Sequence, residues 1–121
     1  MITSLAHVSL LVADTDAALA FYRDLLGLTQ DLSRPDLGYP GAWLQVGEQQ
    51  IHLLQLPNPD PIQGRPQHGG RDRHAAFYLT DLDDLCAALE RAAVPFSRSR
   101  SGRKALFCRD PDGNALEFIE V

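Results

Sequence analysis

Apolar and polar positions alternate with a period of two at the start of each half of the chain. Residues 5–12 place His7 and Ser9 on a mixed face, opposite a face of four apolar residues: Ala6, Val8, Leu10 and Val12. Residues 74–79 place His74 on one face, opposite three apolar residues: Ala75, Phe77 and Leu79. This period predicts a strand in each stretch, covered by other elements on its apolar side.

Each of these strands is followed by a pattern typical of a helix. Asp14 is suited to cap a helix over the segment AALAFYRDLLG, and Gly27 is suited to end it. In the second half, Thr80 and Asp83 resemble a capping box before the segment DDLCAALERAAV. Both halves therefore predict a strand followed by a helix.

The end of each half predicts two strands joined by a short turn. These strands are expected over residues 42–46 and 49–56 in the first half and over 105–109 and 115–121 in the second. The turns contain a Gly-Glu dipeptide in the first half and the sequence DPDG in the second. His52 and Glu117 lie in the middle of the last strand of their halves.

Residues 57–72 separate the two halves. This segment contains four prolines and three glycines, a composition that interrupts both helices and strands. We expect one domain over residues 1–121, with a first module over about 1–57 and a second over about 73–121.

Spacing along the chain indicates a tandem duplication. His7 and His74 each precede a helix-opening aspartate, Asp14 or Asp81, by seven residues, and the halves are offset by 67. His52 follows His7 by 45 residues, and Glu117 follows His74 by 43. Each module thus offers one polar residue on its first strand and another on its last.

Composition narrows the classes of function. A net charge of −5 and a pI near 5.2 argue against a general nucleic-acid binder, which needs surplus Lys and Arg. No run of 18 apolar residues is present, and the N-terminal residues read as a strand rather than as a signal peptide, so we expect a cytoplasmic protein without membrane contact. Cys86 and Cys108 have no metal or redox spacing and are expected to be buried free thiols.

The candidate chemistry is a metal site. Three imidazoles and a carboxylate on the less apolar faces of four strands suit Zn, Fe, Mn, Co or Ni better than Ca or Mg. The candidate ligands are His7, His52, His74 and Glu117. A carboxylate held within a sheet needs a cation or metal as its partner, although a solvated sheet face is the alternative. His68 lies in the Pro/Gly segment and is interpreted as an ordinary surface residue.

Four segments resemble the vicinal oxygen chelate superfamily of glyoxalase I, bleomycin-resistance and extradiol dioxygenase proteins. They are HVSLLVADTDAALAFYRDLLGL, IHLLQL, RHAAFYL and RDPDGNALEFIEV. The resemblance implies an α+β fold, in which two βαβββ modules form a curved mixed sheet that surrounds a metal. It also implies that His7, His74 and Glu117 are metal ligands.

The resemblance leaves the role of His52 open. His52 occupies the position where glyoxalase I enzymes have a metal-binding glutamate that participates in proton transfer, so the chain departs from their pattern there. Either all four residues bind the metal, or His7, His74 and Glu117 form a triad and His52 is an acid or base beside it.

Several functions remain open at this point. Glyoxalase I-like lyase or isomerase chemistry on a small oxygen-rich substrate is preferred, with His52 or Glu117 moving the proton. The alternatives are an Fe(II)-dependent extradiol-type dioxygenase, a fosfomycin-type thiol transferase and a non-catalytic drug-binding resistance protein. Candidate substrate-binding residues are Ser9, Trp43, Tyr78, Arg98 and Arg103.

The resemblance further implies a homodimer. We expect each shared site to combine His7 and His52 of one chain with His74 and Glu117 of the other, because each module supplies only two candidate ligands.

Overall fold

The computed structural model describes all residues from 1 to 121, and the chain divides into two compact units, Met1–Pro59 and Asp60–Val121. The first unit contains β1 (His7–Leu11), α1 (Thr15–Leu19), a π-helical segment (Ala20–Leu25), β2 (Thr29–Asp31), β3 (Gly41–Val46) and β4 (Gln49–Leu54). The second contains a 3₁₀ turn (Gly69–Arg71), β5 (His74–Leu79), α2 (Leu82–Arg91), β6 (Phe96–Arg98), β7 (Ala105–Arg109) and β8 (Ala115–Glu120).

The two units have the same topology. Each forms a four-stranded mixed sheet in which the first strand pairs in parallel with the last, and the remaining pairs are antiparallel. The strand orders are β1-β4-β3-β2 and β5-β8-β7-β6. The predicted α+β fold of two tandem βαβββ modules is therefore confirmed. The three-residue strands β2 and β6 were implied by the family pattern and not by local alternation.

The start of each helix is stabilised in the same way in both units. The carboxylate of Asp14 accepts the N–H of Ala17, and the carboxylate of Asp81 accepts the N–H of Asp84. The capping box predicted at Thr80 is wrong, because Asp81 has the extended backbone of an N-cap residue and supplies the acceptor itself.

A second contact links each helix to the last strand of its own unit. Gln55 accepts the N–H of Thr15 after β4, and Glu120 accepts the N–H of Leu82 at the end of β8. Both contacts join the first residue of the helix to a side chain three positions after His52 or Glu117. The duplication therefore extends to the hydrogen bonds that place each helix on its sheet.

One face of each sheet forms the core with the helix of the same unit. On this face of the second unit the buried apolar residues are Leu82, Cys86, Leu89, Leu106, Cys108, Leu116 and Phe118. Both cysteines are buried and free, as expected, and burial raises the pKa of Cys108 to about 12. No helix in the structure has the length and apolar character needed to span a bilayer.

Replacing Asp81 with alanine is expected to lower the free energy of unfolding by about 1 kcal/mol, because the N–H of Asp84 loses its acceptor. Urea denaturation monitored by circular dichroism measures this loss. Asp83→Ala is the control, since the nearest cation to this exposed carboxylate is Lys104 at 3.8 Å. Equal losses in the two variants would contradict the capping role of Asp81.

Candidate metal-binding residues

The polar face of the first sheet carries a stack of three aromatic rings. The ring of His52 lies 3.9 Å from that of His7 and 4.4 Å from that of Trp43, with interplanar angles of 15° and 8°. Trp43 and Ser9 are the cross-strand neighbours of His52. Because Ile51 and Leu53 are buried on the opposite face, the imidazole of His52 lies on the face away from the helix.

A hydrogen-bond chain determines which nitrogen of His52 carries the proton. Nε2 of Gln50 donates to Asp31 at 2.8 Å and to Gln45 at 2.9 Å, so the amide oxygen of Gln50 faces His52. This oxygen lies 2.8 Å from Nε2 of His52 and can only accept a hydrogen bond. Nε2 of His52 is therefore the protonated nitrogen, and the lone pair of the neutral ring is on Nδ1.

The surroundings of His52 favour its neutral form. Burial lowers its pKa below the ordinary value, and the nearby charges of His7 and Arg34 lower the pKa further, while Asp31 opposes them. Asp31 itself has a lowered pKa, chiefly because Ser33 donates hydrogen bonds to its carboxylate. Asp31 thus orients the amide of Gln50 through a hydrogen bond, and the amide oxygen of Gln50 in turn accepts a hydrogen bond from the neutral His52 ring.

In the second unit, Glu117 is a buried carboxylate between two cationic or donor groups. Its side chain is only 5% exposed, and its two oxygens lie 3.2 Å from Nε2 of His74 and 2.9 Å from Nη2 of Arg103. Arg103 reaches Glu117 from an exposed loop, with 54% of its side chain accessible. Glu117 thus has the partner that a buried carboxylate requires.

The backbone before β5 orients His74. Nδ1 of His74 lies 2.8 Å from the carbonyl oxygen of Asp72, which can only accept, so Nδ1 carries a proton. Arg65 and Arg109 hold Asp72 through ion pairs of 2.7 and 2.8 Å, and hydrogen bonds from Arg65 lower the pKa of Asp72 most. Nε2 of His74 is therefore the atom directed at Glu117. Metal-binding histidines commonly have such an N–H to carbonyl contact on the other nitrogen.

The strand registers make His52 and Glu117 equivalent. His7 pairs with Gln50, two residues before His52, and His74 pairs with Ala115, two residues before Glu117. The two-residue difference in spacing along the chain therefore arises in the connecting segments and not in the sheets. Trp43 and Phe107 likewise occupy equivalent positions in the two units, because Trp43 is the cross-strand neighbour of His52 and Phe107 is that of Glu117.

The structure brings the four predicted ligands together as two pairs, His7 with His52 and His74 with Glu117. It contains no group of three or more His, Cys, Asp or Glu side chains arranged to hold a metal. Sequence patterns did not single out Gln50, Asp31 or Asp72. Gln50 is two residues from His52 on the same strand, which was the available signal for it.

The predicted substrate-binding residues lie in different surroundings. Ser9 and Trp43 flank His52 on the polar face of the first sheet, and Arg103 contacts Glu117. Tyr78 is exposed at the end of the β5 face that carries His74, and the guanidinium of Arg98 lies over the ring of Phe96.

Comparison with known proteins identifies the family of the chain. Residues 4–118 match the family model of the Glyoxalase/Bleomycin resistance protein/Dioxygenase superfamily. The chain belongs to this superfamily.

Relatives of this superfamily member include lyases. It is 32% identical to Glyoxylase I 4 of Arabidopsis thaliana, over 97% of the chain and 70% of that protein. It is 30% identical to lactoylglutathione lyase of Haemophilus influenzae, over 94% of the chain and 90% of the relative. The solved structure of lactoylglutathione lyase from Agrobacterium tumefaciens matches with a TM-score of 0.69 and 29% identity, covering 98% of the chain and 94% of that structure.

In the metal-free protein, His52 is expected to titrate below the ordinary histidine pKa of 6.5, and His7→Gln is expected to raise its pKa. NMR titration of the imidazole carbon-bound protons measures both values. Because the folded pKa is lowered, the contribution of His52 to stability is present above pH 6.5 and is lost as the pH falls through the folded pKa. His68→Gln, which changes the other unit, is the control, and an unchanged His52 pKa in His7→Gln would contradict the assignment.

Proposed function

We propose that this chain is a divalent-metal-dependent enzyme with glyoxalase I-like lyase or isomerase chemistry on a small oxygen-rich substrate. The observation that supports it most is the orientation of His74 toward Glu117. With Nδ1 donating to a carbonyl, Nε2 is directed at a carboxylate oxygen 3.2 Å away, and in a neutral ring this nitrogen would carry the lone pair. Two acceptors at this distance require a proton or a metal between them.

The residues present fit a transition metal. Imidazole and carboxylate donors suit Zn, Fe, Ni, Mn and Co. His74 and Glu117 are the proposed ligands in the second unit, and His7 and His52 are those in the first. A bound divalent metal would polarise a substrate carbonyl and make a neighbouring C–H more acidic.

In the arrangement where His7, His74 and Glu117 bind the metal, His52 is the proposed base. Its lowered pKa keeps the ring neutral at pH 7, and its protonated Nε2 is held by Gln50, so Nδ1 is the atom able to accept a proton. Glu117 is the other candidate for proton transfer, and its burial limits access of water to the carboxylate. The stacked rings of His7 and Trp43 restrict the orientation of His52 on both sides.

A second candidate is a non-catalytic binding protein of the same superfamily. The ion pair between Arg103 and Glu117 favours it, because an arginine already balances the carboxylate charge. Metal binding separates the two candidates, since the enzyme requires a metal and the binding protein does not.

The purified protein is expected to bind about one transition-metal ion per chain, and Glu117→Gln is expected to weaken this binding by more than tenfold. The substitution keeps the side-chain size and removes the charge that balances the cation. Elemental analysis and titration with Zn²⁺ or Mn²⁺ measure occupancy and affinity. Glu120→Gln on the same strand is the matched control. Unchanged affinity in Glu117→Gln would reject the ligand assignment, and no metal binding by the wild type would favour the binding protein.

We also propose that the active form is a homodimer, in which His7 and His52 of one chain complete a site with His74 and Glu117 of the other. Each unit supplies one pair of ligands, so a four-residue site needs a first unit and a second unit, and a two-fold axis would generate two such sites.

Mixing His7→Ala chains with Glu117→Ala chains tests this arrangement. If sites are shared, a mixed dimer has one site with both substitutions and one with neither, so part of the metal binding is expected to return after subunit exchange. Native mass spectrometry verifies that heterodimers form. Heterodimers without any recovery would show that each site is built within one chain.

A further inference from the structure

The polar face of the second sheet carries a histidine that the proposed metal site does not use. His68, from the Pro/Gly segment before β5, lies half-buried with Nδ1 2.8 Å from the hydroxyl of Ser97 on β6. The sequence pattern indicated an ordinary surface residue at this position, but the ring packs edge-on against Phe107, with the centroids 4.7 Å apart. The hydrogen bond to Ser97 and the contact with Phe107 therefore fix the orientation of the His68 ring.

Strand register places Ser97, the partner of His68, on the same face of the second sheet as the proposed ligands. Ser97 is the cross-strand neighbour of Phe107, and Phe107 is the cross-strand neighbour of Glu117. Directly opposed residues of antiparallel strands project from the same face. Two strand spacings separate Ser97 from Glu117, which is about 10 Å and comparable to the length of a small organic acid.

Phe107 is the apolar residue between the two polar ends and is itself only 6% exposed. Its ring contacts His68 on one side and His74 on another, where the ring centroids are 5.3 Å apart. Arg103 adds a cation at the Glu117 end. The face thus consists of an apolar centre with hydrogen-bond donors at both ends.

Gly70 allows His68 to approach Phe107. A Cβ atom at this position would lie 3.0 Å from Nε2 of His68 and 3.1 Å from Cζ of Phe107, closer than ordinary packing permits. A side chain at position 70 would therefore have to displace one of these rings. The absence of a side chain at Gly70 thus leaves room for the imidazole of His68 beside the turn.

We propose that His68 and Ser97 bind a carboxylate at the far end of the substrate, while its two neighbouring oxygens bind at the His74–Glu117 end. A hydroxyl and an imidazole joined by one hydrogen bond retain a further donor for a ligand, and a carboxylate is an acceptor-only group that matches it. This assignment of substrate class rests on the proposed metal-dependent function.

Two probe acids with the same carbon skeleton test the proposal. Both 2-oxoglutarate and 2-oxovalerate have adjacent oxygens at one end, but only 2-oxoglutarate has a carboxylate at the other. The Mn²⁺-loaded wild type is expected to bind 2-oxoglutarate about tenfold more tightly in calorimetry, the effect of one hydrogen bond to a charged group. His68→Gln and Ser97→Ala are each expected to remove most of this preference and to leave the affinity for 2-oxovalerate unchanged.

Two further variants control for indirect effects. Ser99→Ala removes a hydroxyl that bonds to Ser101 and not to His68, so the preference should survive. Gly70→Ala retains both proposed binding groups, but its Cβ would crowd the His68 ring at 3.0 Å, so it should reduce the preference. Circular dichroism verifies the fold of each variant. Equal affinity of the wild type for the two acids, or a preference that survives both His68→Gln and Ser97→Ala, would overturn the proposal.

A metal-free measurement separates this inference from the proposed function. Glutarate added to the metal-free protein is expected to shift the ¹⁵N signals of the His68 ring in a saturable way, and Ser97→Ala should abolish the shift. If these shifts occur in a protein that binds no metal, the metal-dependent function fails while the carboxylate site stands. Absence of any shift in the wild type would count against the carboxylate site itself.

Discussion

The burial of one carboxylate constrains the second unit more than any other feature. Glu117 lies on β8, which pairs with β5 on one side and β7 on the other, so its backbone position is determined by two ladders of hydrogen bonds. A carboxylate without solvent requires a cation or strong donors. His74 and Arg103 meet this requirement, and the proposed metal would meet it more fully.

The two units use one framework for different chemistry. The same register that places a carboxylate beside His74 places an imidazole beside His7. In the first pair, burial and the neighbouring ring lower the pKa of His52, which favours its neutral form at pH 7. The second pair contains an anion in nearly complete burial. One unit is therefore suited to accept protons and the other to hold a cation.

Neighbouring residues, one on β4 and one just before β5, decide how two of the proposed ligands are oriented. Gln50 determines the tautomer of His52, and the carbonyl of Asp72 determines that of His74. The segment before β5 has a direct part in this, because Arg65 and Arg109 hold Asp72 in place. The same segment carries His68 to Phe107. The Pro/Gly segment predicted to be a linker thus contributes both the carbonyl of Asp72, which orients His74, and the candidate binding group His68.

The resemblance to the superfamily implied the α+β fold of two βαβββ modules. The sequence pattern by itself determined the longer strands, the helices, the duplication and the face on which each predicted ligand lies. These follow from the period of two in strands such as His74–Leu79 and from local hydrogen bonds such as the one at the Asp14 cap, which depend on near neighbours in the chain. Tertiary structure decided the short strands β2 and β6, the partner of Glu117 and the location of His68. Each depends on residues distant in sequence, such as Arg103 with Glu117 and His68 with Ser97, and no periodicity encodes which side chains meet across a sheet or a loop.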